Sequence, residues 1–180
     1  MPSAPPEHPR PAALTVDTLP SPIGAALLFT DELGFLRALH WEDFEDRFTA
    51  QVRRFYADVP LAPGHAPDQV RQPLADYFAG GLERLADTPW RIHGTPFQRT
   101  VWGALFDIPP GQVRTYAGQA ALVGRPSAIR AVGAANGSNP ISLVLPCHRV
   151  LGTNGTLTGY GGGLQRKQWL LVHEGADIAA

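Results

Sequence analysis

Ile141-Ser142-Leu143-Val144-Leu145-Pro146-Cys147-His148-Arg149-Val150 carries an apolar run into a proline, then into the chain's only cysteine and a neighbouring histidine. Only the thiolate attacks carbon efficiently, and a free cysteine, with a pKa of about 8.5, is mostly protonated at neutral pH. A nucleophilic reading of Cys147 therefore needs a base, and His148 is the nearest candidate. Neighbours in an extended chain point to opposite sides, so the two need a sharp turn or a bridging water, and Pro146 favours the turn. A third group that orients the base completes the pattern. Glu174, in Val172-His173-Glu174-Gly175, is the best carboxylate for that role, since Asp107 and Asp177 are the only other acids after residue 90. Read without its neighbours, Cys147 fits a small buried hydrophobe equally well.

Upstream, Thr95-Pro96-Phe97-Gln98 is a strong helix start: threonine as N-cap, proline at the first helical position and glutamine three residues after the cap. That helix is expected to run to about Asp107, where Pro109-Pro110-Gly111 breaks the chain. Thr115 then caps a short helix over Tyr116 to Leu122, and Val123-Gly124-Arg125 turns into a helix over Pro126 to Ala135, ending at Asn136-Gly137. Two short helices around a glycine turn form a helix-turn-helix pattern. The second is built of small residues, Ala128, Ala131, Gly133, Ala134 and Ala135, with Arg125 and Arg130 supplying charge. Such a surface suits either tight helix packing or close approach to a nucleic-acid groove.

The first half reads differently. Leu14 to Leu19 and Ile23 to Thr30 have strand character, Asp31-Glu32-Leu33-Gly34 is a turn, and Phe35 to Trp41 is a third strand. Phe44, Phe48, Val52 and Phe55 have helical spacing over Asp43 to Tyr56. The proline-rich stretch from Pro60 to Pro67 follows, and a second helix over Asp68 to Phe78 stops at Gly80-Gly81. The boundaries expected are a disordered tail over 1–12, an α/β scaffold domain over 13–81, a connector over 82–93 and a C-terminal domain over 94–176.

With 180 residues and no apolar run long enough to span a bilayer, the chain reads as a globular protein of one or two small domains without a membrane partner. A single cysteine excludes an internal disulfide and points to a reducing compartment, hence a cytoplasmic location. No Cys/His cluster has metal-ligand spacing, so no metal is expected. The net charge of −1 hides an asymmetry: up to Pro89 seven basic residues face thirteen acids, and from Trp90 onward eight basic residues face three acids. The second half, at +5, is the one suited to a polyanion.

Taken together, Ile141 to Val150, Gly94-Thr95-Pro96-Phe97-Gln98 with Val101-Trp102, Ile108-Pro109-Pro110-Gly111, Arg130-Ala131-Val132-Gly133, Asn139-Pro140, Gly159-Tyr160-Gly161-Gly162-Gly163-Leu164 and Leu170-Leu171 through Glu174-Gly175 resemble, in order, the O6-alkylguanine-DNA alkyltransferases. These are the methylated-DNA–protein-cysteine methyltransferases. In the first half the resemblance rests on Ser21-Pro22-Ile23-Gly24, the stretch from Leu33 to Trp41 and Asp76-Tyr77-Phe78-Ala79-Gly80. It implies an RNase H-like α/β first domain of a small sheet plus helices. A mostly α second domain with a winged-helix-like helix-turn-helix follows.

The implied activity is a single-turnover transfer of the alkyl group of O6-alkylguanine, or of O4-alkylthymine, from double-stranded DNA to Cys147 after the nucleotide is flipped out. It needs no cofactor and suits a monomer. By the same resemblance His148 and Glu174 activate the thiol, Tyr116 approaches the minor-groove nitrogen of the base, and Asn139 supports the segment before the thiol. Val150 contributes backbone recognition, and Tyr160, Gly161 and Gly162 form a loop over the flipped base; Gly161 replaces the serine or alanine many members carry. The small-residue helix, with Arg125, Ala131, Gly133 and Ala134, enters the minor groove while Arg130 fills the vacated base stack. A non-catalytic alkylated-DNA sensor or a helix-turn-helix regulator shares the basic half, but sensors of that kind replace the cysteine. A cysteine hydrolase would need an acyl pocket for which the sequence offers no signal.

Overall fold

The computed structural model describes residues 4–44, 50 and 52–178, which form two compact units: Glu7–His93, and residues 94–178 together with 4–6. In the first, strands β1 (Leu14–Leu19), β2 (Ala26–Asp31), β3 (Leu36–Trp41) and β4 (Leu61–Pro63) make one sheet in the order β3-β2-β1-β4. The β1/β2 and β2/β3 pairs are antiparallel, whereas β4 joins β1 in parallel. Every residue of β2 and β3 is buried, including the polar Thr30 and Asp31 of β2 and Arg37 and His40 of β3, so neither strand shows the alternation of a half-exposed sheet.

The β2/β3 turn is held by Asp31, whose carboxylate accepts from the backbone of Leu33 (3.0 Å) and Phe35 (2.8 Å) and also from Arg37 Nε (2.7 Å). Gly34 at φ 82° supplies the left-handed residue that closes it. Helix α1 (Asp68–Phe78) buries Val70, Pro73, Leu74 and Tyr77. The helix expected over Asp43 to Tyr56 falls partly outside the described residues, which show helix at 52–55.

The structure adds β4, where the sequence reading saw only a proline-rich break, because pairing with Thr15 across 47 positions leaves no local signal. Residues 82–93 belong to the first unit, with a 3-10 helix over Leu82–Asp87 and a bridge from Trp90 to Leu36. Of the N-terminal segment, residues 1–3 lie outside the described residues, and Pro11 is buried.

In the second unit, α2 (Pro96–Phe106) begins with a complete capping box: Gln98 N donates to Thr95 Oγ1 (3.2 Å) and Thr95 N donates to Gln98 Oε1 (3.0 Å). A Cβ on Gly94 would lie 2.6 Å from the Trp102 ring, so only glycine admits that ring, whose Nε1 donates to Ala135 O (2.7 Å). Arg99, on the same helix, donates to Pro5 O (3.0 Å) and Gly94 O (2.6 Å). Helix α3 (Tyr116–Leu122) is capped by the Thr115 hydroxyl, which accepts from Gly118 N (3.0 Å).

Helix α4 covers Ile129–Gly137, so it begins three residues later than the sequence reading placed it. Arg125 to Ala128 form a turn first, closed by Ala128 N on Arg125 O (2.9 Å). Val101 and Ala104 of α2, Ala120 of α3, Val123, and Val132 and Ala135 of α4 share one core cluster. The small residues thus let three helices meet closely. Strands β5 (Arg114–Thr115) and β6 (Val150–Leu151) pair in parallel, and α5 (Leu164–His173) completes the unit.

Candidate active site

The β5/β6 pair positions the chemistry. Thr115 leads directly into Tyr116, and Val150 follows the Cys147–Arg149 3-10 turn, so pairing Arg114 with Val150 draws the phenol and the thiol segment to one place. The apolar run before the cysteine is not a strand but a tight loop. Leu145 N donates to Ile141 O (3.0 Å), Val144 N to Ser142 O (3.0 Å) and Cys147 N to Leu145 O (2.7 Å). Leu143 takes φ 76°, a conformation that costs a branched side chain energy and persists only where the surroundings enforce it. Asn139 is one such enforcer: its Nδ2 donates to Leu145 O (2.7 Å) and its Oδ1 accepts from Ile141 N (3.0 Å).

Cys147 is a free thiol, 4% exposed. Burial pushes its pKa up, opposed by hydrogen bonds from Asn139 and Ser142 and by the charge of Lys167. His148, next in sequence, is committed to the wall formed by Glu174, with Nε2 2.9 Å from Glu174 Oε1; Nδ1 has no partner among the described residues. Burial holds the imidazole pKa below its ordinary value despite the carboxylate, leaving it neutral and able to accept a proton. Burial would raise Glu174, but contacts from His148 and Arg149 outweigh it and keep the carboxyl well below the usual range.

Two residues with no role in the sequence reading complete this wall. Arg149 grips Glu174 with a fork, Nε to Oε2 and Nη2 to Oε1, each 2.8 Å, and its Nη1 donates to Ile108 O. Lys167, fully buried, donates to Val150 O (2.6 Å) and Thr158 O (2.7 Å), with its pKa lowered to about 8 by burial. A sequence signal for Lys167 exists: it lies three and four residues before Leu170 and Leu171, on the buried face of α5.

Tyr116, half-buried, donates its hydroxyl to Gly159 O (3.3 Å) and accepts from Asn136 Nδ2 (3.5 Å). Burial raises its pKa, so it carries its proton at neutral pH. The Tyr160 ring meets His148 edge-on at 6.3 Å. Gly161 is half-buried and Gly162 buried, with Gly162 O accepting from Arg166 Nη1 (3.0 Å). Val150 N donates to Cys147 O, so these backbone groups are paired with one another.

The remaining candidates lie on the outer face of the helix pair. Arg125, Arg130, Ala131 and Ala134 are exposed, and neither guanidinium has a partner among the described residues. Gly133 differs: it faces inward, where a Cβ would lie 3.9 Å from the Tyr116 ring. Among the described residues no three His, Cys, Asp or Glu side chains are grouped to hold a metal, and no helix is long and apolar enough to cross a membrane.

Residues 96–176 match the family model for the 6-O-methylguanine DNA methyltransferase DNA-binding domain. A protein of Salmonella typhimurium named methylated-DNA–protein-cysteine methyltransferase is 50% identical over 164 residues, covering 90% of this chain and 96% of its own. The chain belongs to the methylated-DNA–protein-cysteine methyltransferase family. Among solved structures, the Mycobacterium tuberculosis O6-methylguanine methyltransferase superposes with a TM-score of 0.73 at 39% identity, over 90% of this chain and 93% of that one. The Mycobacterium tuberculosis protein crystallised in complex with DNA gives 0.75 at 40% identity, over 89% and 92%. Both units thus belong to the mixed sheet-and-helix fold of the methyltransferase family.

Proposed function

We propose that this chain repairs alkylated DNA by direct reversal, moving the alkyl group from O6 of guanine, or O4 of thymine, in duplex DNA to the sulfur of Cys147. The observation that carries this reading is a solitary thiol held in a pinned loop beside Tyr116 and Lys167, with a neutral histidine next to it. A buried thiol cannot reach a base inside a duplex, so the nucleotide must be extruded into the site. Arg130, on the exposed face of α4, fills the gap in the stack, while Arg125, Ala131 and Ala134 approach the minor groove. The carbonyls of Cys147 and Val150, each accepting one bond within the protein, offer their second lone pair to the base, and Tyr160, Gly161 and Gly162 cover it.

The sulfur bonds to the alkyl carbon as the carbon–O6 bond breaks, and the released electron pair returns to the purine. The thiol proton passes to His148, directly or through water, with Glu174 stabilising the imidazolium that results. Tyr116 gives its phenolic proton to the base and recovers one from the imidazolium through solvent, so the net change is one thiol proton delivered to guanine. The thioether has no easy reversal, and each molecule acts once as a monomer without a cofactor. The first unit, an RNase H-like scaffold in this reading, carries no chemistry, and α3 and α4 serve as a winged-helix-like helix-turn-helix in a cytoplasmic protein.

The test is intact mass and peptide mapping after incubation with excess duplex containing one O6-methylguanine. One methyl per molecule on Cys147 is expected, and Cys147→Ala should keep DNA affinity without gaining mass. Lesion binding with no adduct on the parent protein would reject the transfer.

A further inference from the structure

The last turn of α4 carries Asn136, whose side chain is withdrawn from solvent, the residue being 3% exposed. Its Nδ2 lies 3.5 Å from the phenol oxygen of Tyr116, at the long end of hydrogen-bonding range, and that oxygen lies 3.3 Å from Gly159 O. A carbonyl only accepts, so the single phenolic proton is directed at Gly159 and the oxygen turns its lone pair toward Asn136. The amide must therefore present N–H, and its orientation follows from the network. Its Oδ1 is left buried and without a partner among the described residues. An amide this far from solvent carries a desolvation cost that an apolar side chain would not, and the Tyr116 phenol is the side-chain group that its N–H meets.

We propose that Asn136 is a positioning residue for Tyr116: its N–H holds the phenol oxygen so that the proton points outward and is delivered to the flipped base. The proposal rests on the reading of Tyr116 as proton donor. Before the base arrives, Gly159 O accepts that proton; the base then takes the place of Gly159. As the proton leaves, charge builds on the phenol oxygen and the Asn136 bond becomes charge-assisted, strongest when the proton is in flight. Burial and the nearby Cys147 make Tyr116 a weaker acid, and the Asn136 contact works in the opposite direction.

The experiment measures the single-turnover rate of methyl transfer for Asn136→Leu, Tyr116→Phe and the double variant, and follows the titration of Tyr116 by carbon-13 labelling of its Cζ in the DNA-free protein. Asn136→Leu should slow transfer about tenfold, the scale of one lost hydrogen bond, and raise the Tyr116 midpoint. In the Tyr116→Phe background the same change should cost less than about twofold, because its target is gone. Equal slowing in both backgrounds, or an unmoved midpoint, overturns the proposal. If Tyr116→Phe alone reacts at the parent rate, the proton-donor reading fails and takes the proposal with it, an outcome distinct from independent action of Asn136. Should Asn136→Leu not fold, Asn136→Asp keeps the shape, removes the N–H and is expected to raise the midpoint likewise.

Discussion

Glu174 accepts three side-chain hydrogen bonds, one shared with His148 and two from Arg149, with no part of its side chain exposed. Charge is affordable there because the guanidinium compensates it whether or not the imidazole is protonated. Glu174→Gln leaves Arg149 as an uncompensated buried cation and is expected to cost about 3 kcal/mol in urea unfolding as well as slowing transfer. A Gln variant with parental stability would remove Arg149 from this account. Lys167 acts on the thiol by charge alone, since its hydrogen bonds go to Val150 O and Thr158 O. Lys167→Met should therefore raise the pH at which Cys147 absorbs as a thiolate near 240 nm. An unchanged midpoint would show that Asn139 and Ser142 suffice to oppose burial.

At the level of elements, α4 serves two purposes with one sequence. Val132 and Ala135 face the core, Gly133 faces Tyr116, and Arg130, Ala131 and Ala134 face outward. Arg130→Ala removes an exposed guanidinium with no partner among the described residues, so folding stability should stay within about 0.5 kcal/mol. Transfer from duplex lesions should slow, whereas reaction with free O6-methylguanine base should not. Equal losses on both substrates would place the defect in the thiol site. What the sequence revealed here follows the range of each interaction. The caps at Thr95 and Thr115 act on backbone three residues away and were legible, as was α1 from its glycine stop. Pro126 reads as a first helical residue, yet Arg125 and Ala128 close a turn, and α4 starts only at Ile129. The fork from Arg149 to Glu174 spans 25 positions and the β1/β4 pairing 47, and nothing near either end announces the other.

Across the whole molecule, buried histidines set the response to acid. His40 lies in β3 opposite Leu27, is fully buried against Phe29, and has its pKa pushed down to about 3 by burial. Its folded pKa lies below the unfolded value of about 6.5. Between those limits the unfolded chain binds a proton that the folded chain does not, so stability falls as pH drops below about 6.5. His148 has a shift of the same sign. Glu174, whose pKa is also depressed, contributes stability that is present above its unfolded value of about 4.3 and is lost only below it. The histidines therefore govern the window from pH 6.5 to 4.5. At pH 5, His40 alone should cost about 2 kcal/mol relative to pH 7, a sizeable part of the stability of an ordinary domain. Amide exchange at Leu28 and Leu39 reports this locally, since both lie in the buried β2/β3 pair. His40→Gln cannot take up the proton, so its protection should fall by about 2 kcal/mol less than the parent's over the same interval. Parallel losses in the two proteins would mean that the acid response arises from groups other than His40.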